Sequence, residues 1–134
     1  MSILLDASAY SALMRGDGRA IDLVRTADRM APNAVIVGEL LSGFAAGTRE
    51  TRNRRLFRDF VASPRVTIVA MGYPTAERFA DVHRVLRQAG TPIPTHDMWI
   101  AASAMEHDLT LVTSDRHFVR IPNLPAEFVA LAET

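Results

Sequence analysis

The chain has 134 residues, no formal net charge, 49% hydrophobic residues and no cysteine. That length suits a single domain spanning 1–134 with a core of its own, and the absence of cysteine excludes a disulfide framework and a thiolate nucleophile. All 15 basic residues are arginine, which excludes a Schiff-base lysine, a P-loop lysine and a receiver-type phosphate lysine together.

At the N-terminus, Ile3-Leu4-Leu5 is an apolar run ending on Asp6, and small residues at helical spacing follow as far as Gly16. This pattern predicts a buried strand leading into a helix. No basic leader precedes the run, and no apolar stretch approaches the ~20 residues of a membrane span, so a cytoplasmic protein without a membrane segment is expected. Ile21, Leu23, Val24 and Ala27 predict a second helix reaching Met30, stopped by Pro32-Asn33. Residues 34–37 (Ala-Val-Ile-Val) are apolar and mostly β-branched, which predicts a strand with Glu39 just beyond it at the start of a helix.

Residues 50–62 place Leu56, Phe57, Phe60 and Val61 on one side of a helix and Arg52, Arg55 and Arg58 on another. The charge is uneven: residues 49–65 carry six arginines against Glu50 and Asp59, so this basic stripe is either a solvated face or a phosphate-contacting edge. Residues 66–71 have the strongest strand propensity, and a helix follows from Tyr73-Pro74-Thr75 to Gly90. The connector Thr91-Pro92-Ile93-Pro94-Thr95 delivers His96-Asp97 to a helix spanning 98–107, with Asp97 in its first turn. Residues 109–113 predict a strand ending on Ser114-Asp115, and residues 127–131 a last one.

Alternating strands and helices predict a mostly parallel sheet with helices on both faces, which binds ligands outside the carboxyl ends of its strands. Asp6, Glu39, Asp97 and Asp115 are all expected at that edge. Each has a structural alternative, since Asp6 can cap a helix, Asp97 can complement a helix dipole and Asp115 can start a turn. Jointly they point to a carboxylate pocket, and converging acids of this kind are held ionised most readily by an oxygen-loving cation such as Mg²⁺ or Mn²⁺.

Leu4-Leu5-Asp6-Ala7-Ser8-Ala9, Gly38-Glu39-Leu40, Thr95-His96-Asp97-Met98-Trp99-Ile100-Ala101-Ala102 and Leu111-Val112-Thr113-Ser114-Asp115-Arg116-His117-Phe118 occur in this order. The set resembles the signature of PIN-domain ribonucleases, and within them the VapC-type toxins of toxin–antitoxin pairs, from Leu4 to about Phe128. The resemblance implies a three-layer α/β/α fold that forms a homodimer and cleaves single-stranded or loop RNA. It also implies a Mg²⁺ or Mn²⁺ ion held by Asp6, Asp97 and Asp115, with Glu39 as a further ligand or water-orienting base, and a cognate VapB-type antitoxin as partner.

Ser8 and Thr113 match hydroxyl residues of the family and either orient carboxylates or make a helix cap or turn hydrogen bond, while Arg49, Arg52, Arg55, Arg58 and Arg116 are the candidates for RNA contact. His117 stands where some relatives have an acid or amide, and it is read with His96 as an edge residue. Trp99 is expected to pack in the core or at the rim. Met14, Leu40, Leu41, Phe44, Leu56 and Phe57 are candidates to line an antitoxin groove. The alternative of a different class is a non-catalytic RNA-binding or partner-sequestering domain of the same fold.

Overall fold

Four short strands, β1 (Ser2–Leu5), β2 (Arg29–Met30), β3 (Thr110–Thr113) and β4 (Ala126–Phe128), form a parallel sheet in the order β2-β1-β3-β4. The structure is a computed structural model and describes residues 1–132. Parallel neighbours cannot be joined by tight turns, and the connections are helical: α1 (Ala7–Met14), α2 (Gly18–Thr26), α3 (Ala34–Ala46), α4 (Glu50–Val61), α5 (Tyr73–Ala89) and α6 (Thr95–Glu106). A short 3₁₀ turn over Arg116–Arg120 precedes β4.

The period-two alternation of the strands divides the core into two layers. Ile3, Leu5 and Val112 face one way and pack with Ala9, Ala12 and Ala20 of α1 and α2. Leu4 and Leu111 face the other way, onto Ile36, Leu40, Phe57, Val82, Leu86, Ile100 and Ala101 of α3 to α6. The expected three-layer α/β/α architecture is therefore present. β1 and β3 are central and buried on both faces, which is why both read as unbroken apolar runs.

Four expected elements differ. Residues 34–37 form the first turn of α3 rather than a strand. Asn33 caps that helix through Ile36 N at 3.0 Å, and the helix directs Ile36 and Leu40 into the core, so a helical face reads as a β-branched run. Residues 66–71 are extended but not a full strand, joined to the sheet only by parallel bridges Met30↔Val66 and Asn33↔Val69. Their partner β2 is two residues long, too short to template a continuous ladder. Met30 belongs to β2 and not to the preceding helix, which ends at Thr26, and the last strand stops at Phe128 rather than Leu131.

Asn33 is fully buried and joins two helices that carry site residues. Its Oδ1 caps α3 while its Nδ2 donates to Ser103 Oγ of α6 at 2.8 Å. Asn33→Ala removes a cap and leaves Ser103 unpaired, and it is expected to lower unfolding free energy by about 2–3 kcal/mol in urea denaturation. A loss below ~0.5 kcal/mol would show that this junction does not fix α3 on α6.

Candidate metal centre

Asp6 follows β1 directly, and its backbone N–H continues the sheet by donating to Val112 O at 3.1 Å. The side chain is almost fully buried. Oδ1 accepts from Ser8 Oγ at 2.6 Å and from Ala9 N at 2.9 Å, so Asp6 also caps α1. Oδ2 accepts from Thr113 Oγ1. Burial pushes the Asp6 carboxyl up, these hydrogen bonds pull it down, and the Asp115 charge adds a smaller upward push.

Ser8 and Thr113 do more than touch Asp6. Ser8 Oγ accepts from Ser114 N at 3.0 Å and Thr113 Oγ1 accepts from Asp115 N at 2.9 Å. The two hydroxyls thus tie the start of α1 to the end of β3 and set the spacing of Asp6 and Asp115. With three donors on its two oxygens, Asp6 retains an acceptor direction on Oδ2 for a cation.

Asp97 enters from the first turn of α6 and is buried. Burial raises its carboxyl to about 6, His96 opposes the shift, and the charges of Asp115, Glu39 and Asp6 add to it. Glu39 enters from the N-terminal half of α3, since a helix rather than a strand end carries it. Burial raises Glu39 as well, with His96 lowering it and Asp6 raising it. Asp6 and Asp97 therefore each lie within electrostatic reach of the other three acids, at the carboxyl edge of β1 and β3.

The donor set fits a hard divalent cation. One ligand atom each from Asp97, Asp115 and His117 lie within 4.8 Å of one another, and Glu39 Oε1 is buried without a hydrogen-bond partner. An unpaired buried oxygen beside carboxyls raised by burial, with a smaller push from one another's charge, is a site that a positive charge would relieve.

Both histidines lie against acids of the cluster. His96 Nε2 lies 3.3 Å from Asp97 Oδ1 and 4.0 Å from Glu39 Oε2. His117 Nδ1 lies 3.1 Å from Asp115 Oδ1, which also accepts the His117 backbone N–H at 2.8 Å. The sequence signal for both was adjacency to a site acid, at one residue for His96 and two for His117. Trp99 packs as expected, stacking on Phe79 of α5 with ring centroids 4.2 Å apart.

Among the arginines, Arg116 follows Asp115 and is held over the Phe128 ring at 4.2 Å. Arg49, Arg52, Arg55 and Arg58 are exposed, and no hydrogen bond or ion pair joins them to the four acids among the described residues. Arg55 and Arg58 share a shallow surface cavity of about 370 Å³ with Arg54 on α4, whereas Arg52 lines a different one. The α4 stripe is thus a separate basic patch.

Because Asp97 is raised in the folded state, its protonation favours folding. That contribution is complete below about pH 4 and is lost as pH rises through about 6. In EDTA at pH 7.5, Asp97→Asn is expected to melt above the parent protein by about 3–8 °C, with the gap narrowing toward pH 4. A variant that melts lower at pH 7.5 would contradict the crowded-charge reading.

The PIN domain family profile matches residues 3–124 of this chain. The chain is similar to ribonuclease VapC5 of Mycobacterium tuberculosis (strain ATCC 25618 / H37Rv), with 30% identity over 120 residues covering 88% of this chain and 86% of that one. It is similar also to ribonuclease VapC2 of Rickettsia felis (strain ATCC VR-1525 / URRWXCal2), at 26% identity over 80% of this chain and 79% of that one. A solved structure of VapBC2 from Rickettsia felis, bound to a DNA fragment from its promoter, has the same fold. Its TM-score is 0.82 at 23% identity, covering 96% of this chain and 98% of the other. The fold, the acidic edge and the span of these matches agree: the chain belongs to the PIN-domain family.

Proposed function

We propose that this protein is a metal-dependent endoribonuclease that hydrolyses phosphodiester bonds in single-stranded or loop RNA and is silenced by a cognate VapB-type antitoxin. The observation that carries the reading is the convergence of Asp6, Glu39, Asp97 and Asp115, three of them buried or half-buried and raised, at the ligand-binding edge of a parallel sheet. Its relatives named VapC ribonucleases support the reaction class, and solved VapBC complexes of the same fold support a protein partner.

Asp6, Asp97 and Asp115 would hold the ion, Mg²⁺ or Mn²⁺, with Glu39 Oε1 as a further ligand or as the acceptor that orients the attacking water. When bound, such an ion supplies Lewis acidity toward the phosphate and lowers the pKa of water. Ser8 and Thr113 keep the Asp6 and Asp115 carboxylates in register through the four hydrogen bonds described above. No side chain acts as a nucleophile, and the residues of the pocket position rather than react covalently.

An acidic pocket repels a polyanion, so RNA binding requires basic groups near its rim. Arg116 is the best placed, since it follows Asp115 in the chain and its guanidinium is held over the Phe128 ring. The stripe of Arg49, Arg52, Arg55 and Arg58 would guide more distant phosphates. For the antitoxin, Tyr10, Met14, Phe44, Arg52 and Leu56 line a cavity of about 170 Å³ that would admit an apolar side chain. Leu40 and Phe57, expected in such a groove, are instead buried in the core, and Leu41 packs against it. The homodimer implied by the family is part of the same proposal.

Purified, partner-free protein incubated with a pool of structured cellular RNA is expected to make discrete cuts with Mg²⁺ or Mn²⁺ and none in EDTA. Asp97→Asn is expected to slow cutting by about 100-fold or more. Correctly folded protein that binds RNA but does not cut it under any metal would overturn the enzymatic reading in favour of a binding or sequestering domain.

A further inference from the structure

We propose that His117 is a ligand of the divalent ion, binding through Nδ1 beside Asp97 and Asp115, and that it biases this site toward Mn²⁺ over Mg²⁺. The inference rests on the reading of the acidic edge as a metal centre and adds a nitrogen ligand to it.

The geometry is that of neighbouring ligands. Ligands at about 2.1 Å from an octahedral ion lie about 3.0 Å apart on an edge and about 4.2 Å apart across the centre. His117 Nδ1 and Asp115 Oδ1 are 3.1 Å apart, and the three-residue set with Asp97 falls within 4.8 Å, so only a small closure brings all three onto one ion. The position of the ring is fixed by its own backbone. Asp115 caps the 3₁₀ turn by accepting the His117 N–H, which holds the imidazole on the carboxylate's side. In the absence of an ion, Nδ1–H can donate to Asp115. With an ion, the neutral ring needs only the other tautomer, with its proton on Nε2, to present a lone pair.

The chemical consequence is selectivity. Mg²⁺ and Mn²⁺ are both served by carboxylates and water, but Mn²⁺, a first-row transition ion, accepts an imidazole nitrogen more readily than Mg²⁺ does. Replacing an oxygen donor by His117 therefore favours Mn²⁺. The side chain is 47% exposed, so its removal does not open the core, and the cap on Asp115 survives because it uses the backbone N–H.

The test is Mn²⁺ and Mg²⁺ binding to the full chain by calorimetry, with pulsed electron paramagnetic resonance of the Mn²⁺ complex. The parent protein is expected to show nitrogen hyperfine coupling to Mn²⁺. His117→Ala is expected to lose that coupling and to weaken Mn²⁺ binding by about 10-fold or more while Mg²⁺ binding changes much less. His96→Ala, which removes the other nearby imidazole, is expected to keep the coupling. Mn²⁺ that binds and is displaced by Asp97→Asn, but shows no nitrogen coupling or an unchanged Mn²⁺ preference in His117→Ala, would overturn the role of His117 and leave the acidic centre standing. Coupling lost in His96→Ala instead would likewise overturn it. Absence of Mn²⁺ binding to the parent protein would overturn both.

Discussion

Repulsion among four carboxylates at one sheet edge is the constraint around which this fold is arranged. Burial raises Asp6, Glu39 and Asp97, their neighbours' charges add to the shift, and holding these acids ionised opposes folding at neutral pH. Three of the acids are placed where the backbone partly offsets the charge. Asp6 caps α1, Asp97 lies in the first turn of α6 and Asp115 caps the 3₁₀ turn, each at the positive end of aligned peptide dipoles. Glu39, in the N-terminal half of α3, has no cap role, and it is the acid left with a buried unpaired oxygen. What the backbone leaves uncompensated is what a cation would supply.

This arrangement dissolves the opposition between structural and functional readings of the acids. Asp6 caps a helix through Oδ1 and presents Oδ2 toward its neighbours in the site. Ser8 and Thr113 connect the two sides of the same junction, so the residues that close β1 onto α1 also set the spacing between Asp6 and Asp115. Positioning of this kind, with rotamers locked by hydrogen bonds on rigid elements, is what a metal site needs from its protein. Asn33 plays the corresponding part on the other side, capping α3 while pinning it to α6.

The central part of this design was legible in the sequence because β1 and β3 are buried on both faces and each ends abruptly on an acid. Asp6 and Asp115 could therefore be assigned to the edge from local pattern alone, and Asp97 from its place after the proline connector. Glu39 was placed at this edge from a local pattern that the structure does not keep. The apolar run at residues 34–37 has the composition of a strand, and only the Asn33 cap and the packing of Ile36 and Leu40 make it a helix. The edge at residues 66–71 failed for a complementary reason, since propensity says nothing of a partner strand only two residues long. The contact of His117 with Asp115 was not legible, because a linear reading gives only their two-residue separation, while the 3₁₀ turn brings the ring back onto that carboxylate.

The most direct test of the account is anomalous diffraction from crystals of the partner-free protein soaked in Mn²⁺. A peak is expected among Asp6, Asp97 and Asp115, within coordination distance of at least two of their carboxylates and near Glu39 Oε1. Crystals with clear density for all four side chains and no anomalous peak at this edge would contradict the claim that the carboxylates converge to hold a cation.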